Sequence, residues 1–182
     1  LQLLAGDRDA LRGTKFILTL DSDTTLNINA ARRMIGTMLH PMNRPKIDPK
    51  RKVVTQGYGI LQPRTAVNLT ESGKTRFARV LAGQGGTDPY GCLSSAVYHD
   101  LFDRGSFTGK GILDVEAFHT CLEKRFPDNR VLSHDLLEGA YLHAGFLSDV
   151  ELTDGFPTRC GSYYKRLHRW VRGDWQASPW LF

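Results

Sequence analysis

Residues 15–20 read KFILTL, an apolar run containing β-branched and aromatic residues that stops on Asp21-Ser22-Asp23. A run this short, closed by acids, reads as a buried strand with carboxylates at its C-terminal end. The next segment changes period. From 26 to 40 the apolar residues Ile28, Ala31, Ile35, Met38 and Leu39 fall at helical spacing, and Pro41 closes the segment. Strands alternating with helices point to an α/β layered domain. In open α/β sheets ligands bind outside the carboxyl ends of strands, which is where these acids fall.

Further along, 41–52 carries three prolines and five basic residues and reads as an exposed loop, and 53–61 reads as a strand weakened by Gly57 and Gly59. Helices are expected over 69–81, with Gly73 against it, over 114–126, with Val115, Phe118, Cys121 and Leu122 on one face, and over 135–144. The pattern also predicts a helical or mixed segment over 92–102, a returning strand over 146–152 and a basic, aromatic helix over 162–176. Gly83 to Gly91 has the composition of a flexible loop.

With 41% hydrophobic and 24% charged residues, a chain of 182 residues is an ordinary globular domain and needs no covalent staple. Cys92, Cys121 and Cys160 form no CxxC pair and no disulfide framework, so reduced thiols in a cytoplasmic compartment are expected. No apolar stretch approaches the ~20 residues that span a bilayer, and the polar start is not a signal peptide. Leu1 is not a methionine, which suggests a piece of a longer chain. The net charge of +5 allows an anionic ligand, a lipid surface or nucleic acid. No recognised nucleic-acid module accompanies it, so nucleic acid is not expected.

Asp21 and Asp23 offer two oxygen donors on one turn, suited to a hard cation such as Mg²⁺ or Mn²⁺ and to the phosphates it brings. The same residues also fit a helix start, with Asp23, Thr24 or Asn27 as the cap. A third reading is Asp21, Asp23 and Thr25 as the nucleophile motif of haloacid-dehalogenase-like phosphohydrolases, with Asp149 and Asp154 imitating that family's later acids. Asp135 stands at a predicted helix start. It suits a general base for a sugar hydroxyl, or the opening of a capping box with Glu138. His134 beside it reads as a surface or supporting residue. Arg166-Leu167-His168-Arg169-Trp170 places cations for phosphate beside an indole for a sugar face. The same basic Trp helix equally suits a non-catalytic module lying on a membrane.

The order of these pieces resembles processive family 2-like glycosyltransferases. FILTLDSDTTL, TQGYGILQPR, FTGKGILDVEAF, VLSHDLLEGAYLHAG and HRWVRGDWQ are similar to the glycosyltransferase domain of bacterial cyclic β-1,2-glucan synthases, over nearly the whole chain. The resemblance implies a partial GT-A-like domain over 1–182, an α/β mixed sheet flanked by helices and short of its N-terminal nucleotide-binding strands, within a larger membrane-associated chain. It implies an inverting, metal-dependent transfer from UDP-glucose to a growing glucan acceptor. Asp21 and Asp23 match the metal- and diphosphate-binding positions, and Asp135 matches the general base, preceded here by His134 where the family has Glu. Arg169 and Trp170 match the end of the Gln-x-x-Arg-Trp motif, whose first position is Arg166 here. The Gly109-Lys110-Gly111 loop falls near the implied acceptor channel. By the same resemblance the chain works at the cytoplasmic face of the inner membrane, next to the parent chain's membrane helices, and the isolated fragment is expected to be weak or inactive.

Overall fold

The computed structural model describes residues 9–82, 93–127 and 130–180. In chain order they form β1 (Phe16–Thr19), β2 (Thr24–Leu26), α1 (Ala30–Leu39), β3 (Lys46–Asp48), β4 (Val53–Gln56), β5 (Ile60–Val67), α2 (Leu69–Ser72), α3 (Arg76–Leu81), α4 (Leu93–Phe102), β6 (Gly111–Asp114), α5 (Val115–Leu122), α6 (Asp135–Leu142), β7 (Ala144–Asp154) and α7 (Cys160–Ala177). The glycine-rich loop expected over 83–91 lies outside the described residues.

Five strands make a mixed sheet in the order β1-β6-β5-β7-β2, and β3 and β4 form a separate hairpin. β6 runs antiparallel to both β1 and β5, whereas β5 and β7 are parallel. β1, β5 and β7 therefore point the same way, and their carboxyl ends gather at one edge of the molecule. The N-terminus of β6 ends there too.

Alternation along the strands divides the core between two faces. Ile60, Leu113 and Ala144 pack on one side with Ala117, Cys121 and Leu122 of α5 and Leu142 of α6. Leu61, Ile112 and Leu152 pack on the other with Ala30, Met34 and Met38 of α1. The sheet is thus flanked by helices, in keeping with the α/β expectation.

Several local expectations change. β1 is an edge strand rather than a buried one: Ile17 is 45% exposed, because only β6 pairs with it. The first helix begins at Ala30, since 24–26 is taken by pairing with β7. Its core face is Ala30, Met34 and Met38, and Ile28 stands in solvent. Its N-cap is Asn29, without a side-chain bond, so none of Asp23, Thr24 and Asn27 caps it. The 41–52 segment is not all loop, because Lys46–Asp48 pairs with β4. The 53–61 run divides at Gly57, where φ is 67° and an added Cβ would lie 2.1 Å from the Arg44 carbonyl oxygen. The 69–81 helix breaks at Gly73, and Thr75 opens α3 by accepting from the Ala78 amide. The Asn68 side chain opens α2 in the same manner, accepting from the Thr70 and Glu71 amides.

Candidate functional site

The gathered strand ends carry the acids. Asp21 and Asp23 follow β1 on a turn closed by the Thr24 amide donating to the Asp21 carbonyl at 3.0 Å. Asp154 ends β7, and its Oδ1 accepts from Thr24 Oγ1 at 2.6 Å. The Gly155 amide donates to the Asp23 carbonyl at 2.9 Å, which ties the two strand ends together.

Lys110 enters from the start of β6. Its side chain is buried, with Nζ 2.7 Å from Asp154 Oδ2 and 3.4 Å from Asp21 Oδ2. Its loop is held from beneath by the fully buried Gln62, whose Oε1 accepts from the Thr108 amide at 3.0 Å. Glycine is required on both sides of this lysine. A Cβ on Gly111 would lie 2.3 Å from the Leu61 carbonyl oxygen, and Gly109 has a φ of 92° with its open face toward Asp135.

α7 packs across the mouth. Arg166 donates to Asp23 Oδ2 at 2.6 Å. A cleft of about 750 Å³ is lined by Asp21, Asp23, Lys110, Asp154, Arg166, Arg169 and Trp170, among others. A second hollow of about 320 Å³ is lined by Asp135 and Ser133, and it shares Asp21, Lys110, Arg166 and Trp170 with the first. All six residues expected from sequence therefore face adjoining hollows. Asp23 and Arg169 face the larger only, Asp135 the smaller only, and Asp21, Arg166 and Trp170 both.

Asp135 is the first residue of α6. Its Oδ2 accepts from Ser133 Oγ at 2.9 Å. The N-cap is His134, with no side-chain capping bond, so the capping-box reading of Asp135 and Glu138 does not hold. Glu138 instead turns inward. Burial pushes its carboxyl up to about 7, opposed by the charge of His134 and reinforced by that of Asp135. His134 Nδ1 lies 2.7 Å from Glu138 Oε1 without the alignment of a hydrogen bond, and its ring stacks on Phe126 at 5.1 Å. His134 lines neither hollow.

The donor set on the larger cleft is wholly oxygen: Asp21 and Asp23, with Asp154 on the same wall. Oxygen donors suit Mg²⁺ or Mn²⁺, whereas among the described residues the three whose possible ligand atoms lie within 4.8 Å of one another are His134, Asp135 and Glu138. Lys110 and Arg166 lie against the cleft carboxylates, so the same wall also presents positive charge to an anion.

Sequence reasoning gave Lys110 only a loose place by resemblance and used Asp154 only for the rival phosphatase reading. One signal was present for Asp154: it ends an apolar strand, as Asp21 does. Asp149, the other acid of that rival, lies on the surface paired with Arg33, outside both hollows. Cys121 is buried and Cys160 is exposed, both as free thiols, and Cys92 lies outside the described residues. Among the described residues no helix is long and apolar enough to cross a membrane.

No family model matches the chain. Among known proteins it is similar to the cyclic beta-(1,2)-glucan synthase NdvB of Rhizobium meliloti (strain 1021), with 43% identity over 190 aligned residues. The alignment covers 99% of this chain and 7% of that protein, so the chain corresponds to a small part of a much longer polypeptide.

Proposed function

We propose that this chain is part of the glycosyltransferase domain, of GT-A type, of a glucan synthase. In this reading the cleft carries out inverting, metal-dependent transfer of glucose from UDP-glucose to a growing β-1,2-glucan. The observation that carries it is the meeting of three distant polar clusters around two adjoining hollows that share Asp21, Lys110, Arg166 and Trp170. The 43% identity to a glucan synthase over 99% of the chain supports the substrate class.

The larger cleft takes the donor and the smaller one the acceptor. Asp21 and Asp23 would hold a Mg²⁺ or Mn²⁺ ion, which when bound offsets charge on the diphosphate. Arg169, exposed on the same wall, would receive phosphate oxygens. Asp135 accepts the proton of the acceptor 2-hydroxyl. That oxygen forms its bond to the anomeric carbon from the face opposite UDP, the bond from carbon to phosphate oxygen breaks, and UDP leaves with the electron pair. An α-linked donor thus gives a β link. Ser133 fixes the Asp135 carboxylate, and Trp170 offers its ring where the hollows join. In the parent chain, α7, with Trp175 74% exposed, lies against the cytoplasmic face of the inner membrane beside the membrane helices.

The test is UDP-glucose turnover by the full-length parent. Asp135→Asn is expected to lower turnover by about 10²–10⁴-fold while UDP binding persists. Asp23→Asn is expected to lose UDP binding as well. Undiminished transfer in Asp135→Asn rejects the assignment of the base.

One observation favours the phosphohydrolase alternative: Lys110 supplies a cation against Asp21, of the kind its catalysis needs. It leaves Asp135 and the Arg169-Trp170 pair without a task. Hydrolysis of a generic phosphate ester, abolished by Asp21→Asn, would establish it.

A further inference from the structure

Lys110 is a buried ammonium at the junction of two hollows, and the glucosyl transfer proposed above gives it no role. It is 6% exposed, lies 2.7 Å from Asp154 and 3.4 Å from Asp21, and lines both cavities. Burying a cation is costly unless it is paired, and here the partners include two carboxylates from different strand ends. A Cβ on Gly111 would lie 2.3 Å from the Leu61 carbonyl oxygen, so the chain beside Lys110 runs hard against β5. The ammonium is therefore built into the wall, unlike a flexible surface lysine.

We propose that Lys110 is a positioning residue of the donor cleft: by holding Asp21 beside Asp154 it keeps the carboxylate wall from capturing a divalent cation on its own and makes it receptive to a diphosphate. The inference rests on the donor-site reading above. Its physical content is a pair of opposite shifts. Removing the ammonium leaves Asp21 and Asp154 uncompensated side by side, so a free divalent cation binds more tightly. The same change removes positive charge facing the cleft, so a diphosphate binds more weakly. A lysine that served only packing would weaken both when replaced. Coulomb attraction at these separations, reduced by the solvent exposure of Asp21, supports changes of about tenfold in each direction.

The experiment uses the full-length parent as wild type, Lys110→Met, Lys110→Arg and Asp154→Asn. Mn²⁺ binding without nucleotide is read by electron paramagnetic resonance, and UDP binding in Mg²⁺ by calorimetry. Lys110→Met is expected to bind Mn²⁺ about tenfold more tightly and UDP about tenfold more weakly. Lys110→Arg keeps the charge and stays close to wild type in both. Asp154→Asn retains an oxygen for Thr24 and is expected to weaken Mn²⁺ binding, the reverse of Lys110→Met. This arm stands even if Lys110→Met does not fold. Loss of both ligands in a folded Lys110→Met, no change in either, or Mn²⁺ binding by Asp154→Asn as tight as wild type overturns the proposal. A wild-type parent that binds neither Mn²⁺ nor UDP rejects the donor-site reading, and this inference with it.

Discussion

Replacing Glu138 with Gln should make the fold more stable at neutral and alkaline pH and leave it unchanged in acid. Glu138 is 7% exposed on the inner side of α6, and burial pushes its carboxyl from 4.5 to about 7. Below pH 4.5 the group is protonated in both folded and unfolded chains and adds nothing to the pH dependence. As pH rises from 4.5 to 7 the unfolded chain releases the proton while the folded chain keeps it, so stability falls across that window. At 1.36 kcal/mol per pH unit the fall is about 3 kcal/mol, with the relief from the charge of His134 already included. Gln fills the same volume and does not titrate. Urea unfolding of the 182-residue chain followed from pH 4 to pH 8 measures the effect. The two curves should coincide near pH 4 and separate steadily, with Glu138→Gln the more stable. Parallel curves, or a wild type that gains on Glu138→Gln as pH rises, would refute the reasoning.

Two other substitutions follow from packing and backbone geometry. Met34 is fully buried between α1 and the sheet, so Met34→Ala should cost about 2–5 kcal/mol by the same unfolding assay. Gly109→Ala places a side chain at a φ of 92° and 3.1 Å from Asp135 Oδ2. It should cost about 1–3 kcal/mol and, in the parent, reduce turnover more than UDP binding, because it displaces the base and not the donor wall.

The elements that a single period specifies were legible in the sequence. α7 and α6 stand close to their predicted bounds, and β7 contains the predicted 146–152 strand. What escaped is set by pairing at a distance. Nothing local marks 24–26 or 46–48 as strands; they are extended because β7 and β4 lie beside them. β5 continues through Pro63 to Val67, past the predicted end at 61. Pro63 is tolerated because β6 pairs only with Ile60 and Leu61, and the ladder to β7 shifts register immediately after the proline. β1 was read as buried because its residues are apolar, yet burial of a strand depends on its place in the sheet, and β1 is at the edge. In α1, helical spacing suggested a face of Ile28, Ala31, Ile35, Met38 and Leu39; of these the sheet selected Met38, together with Ala30 and Met34.

The candidate site was legible for a different reason. Asp21, Asp23, Asp135, Arg169 and Trp170 each admitted a structural reading on their own, and it was their order and the resemblance to glucan synthases that joined them in one site. The lysine between them was not conspicuous. Its meaning comes from burial and from two carboxylates, one 44 and the other 89 residues away along the chain, which sequence spacing does not reveal.

The most direct measurement is a structure of the full-length parent with UDP-glucose and Mn²⁺. The diphosphate should lie in the larger cleft between Asp23 and Arg169, with the anomeric carbon turned toward Asp135 across the junction at Lys110. A nucleotide bound elsewhere, or an anomeric carbon facing away from Asp135, would contradict the proposal that the two hollows serve one transfer.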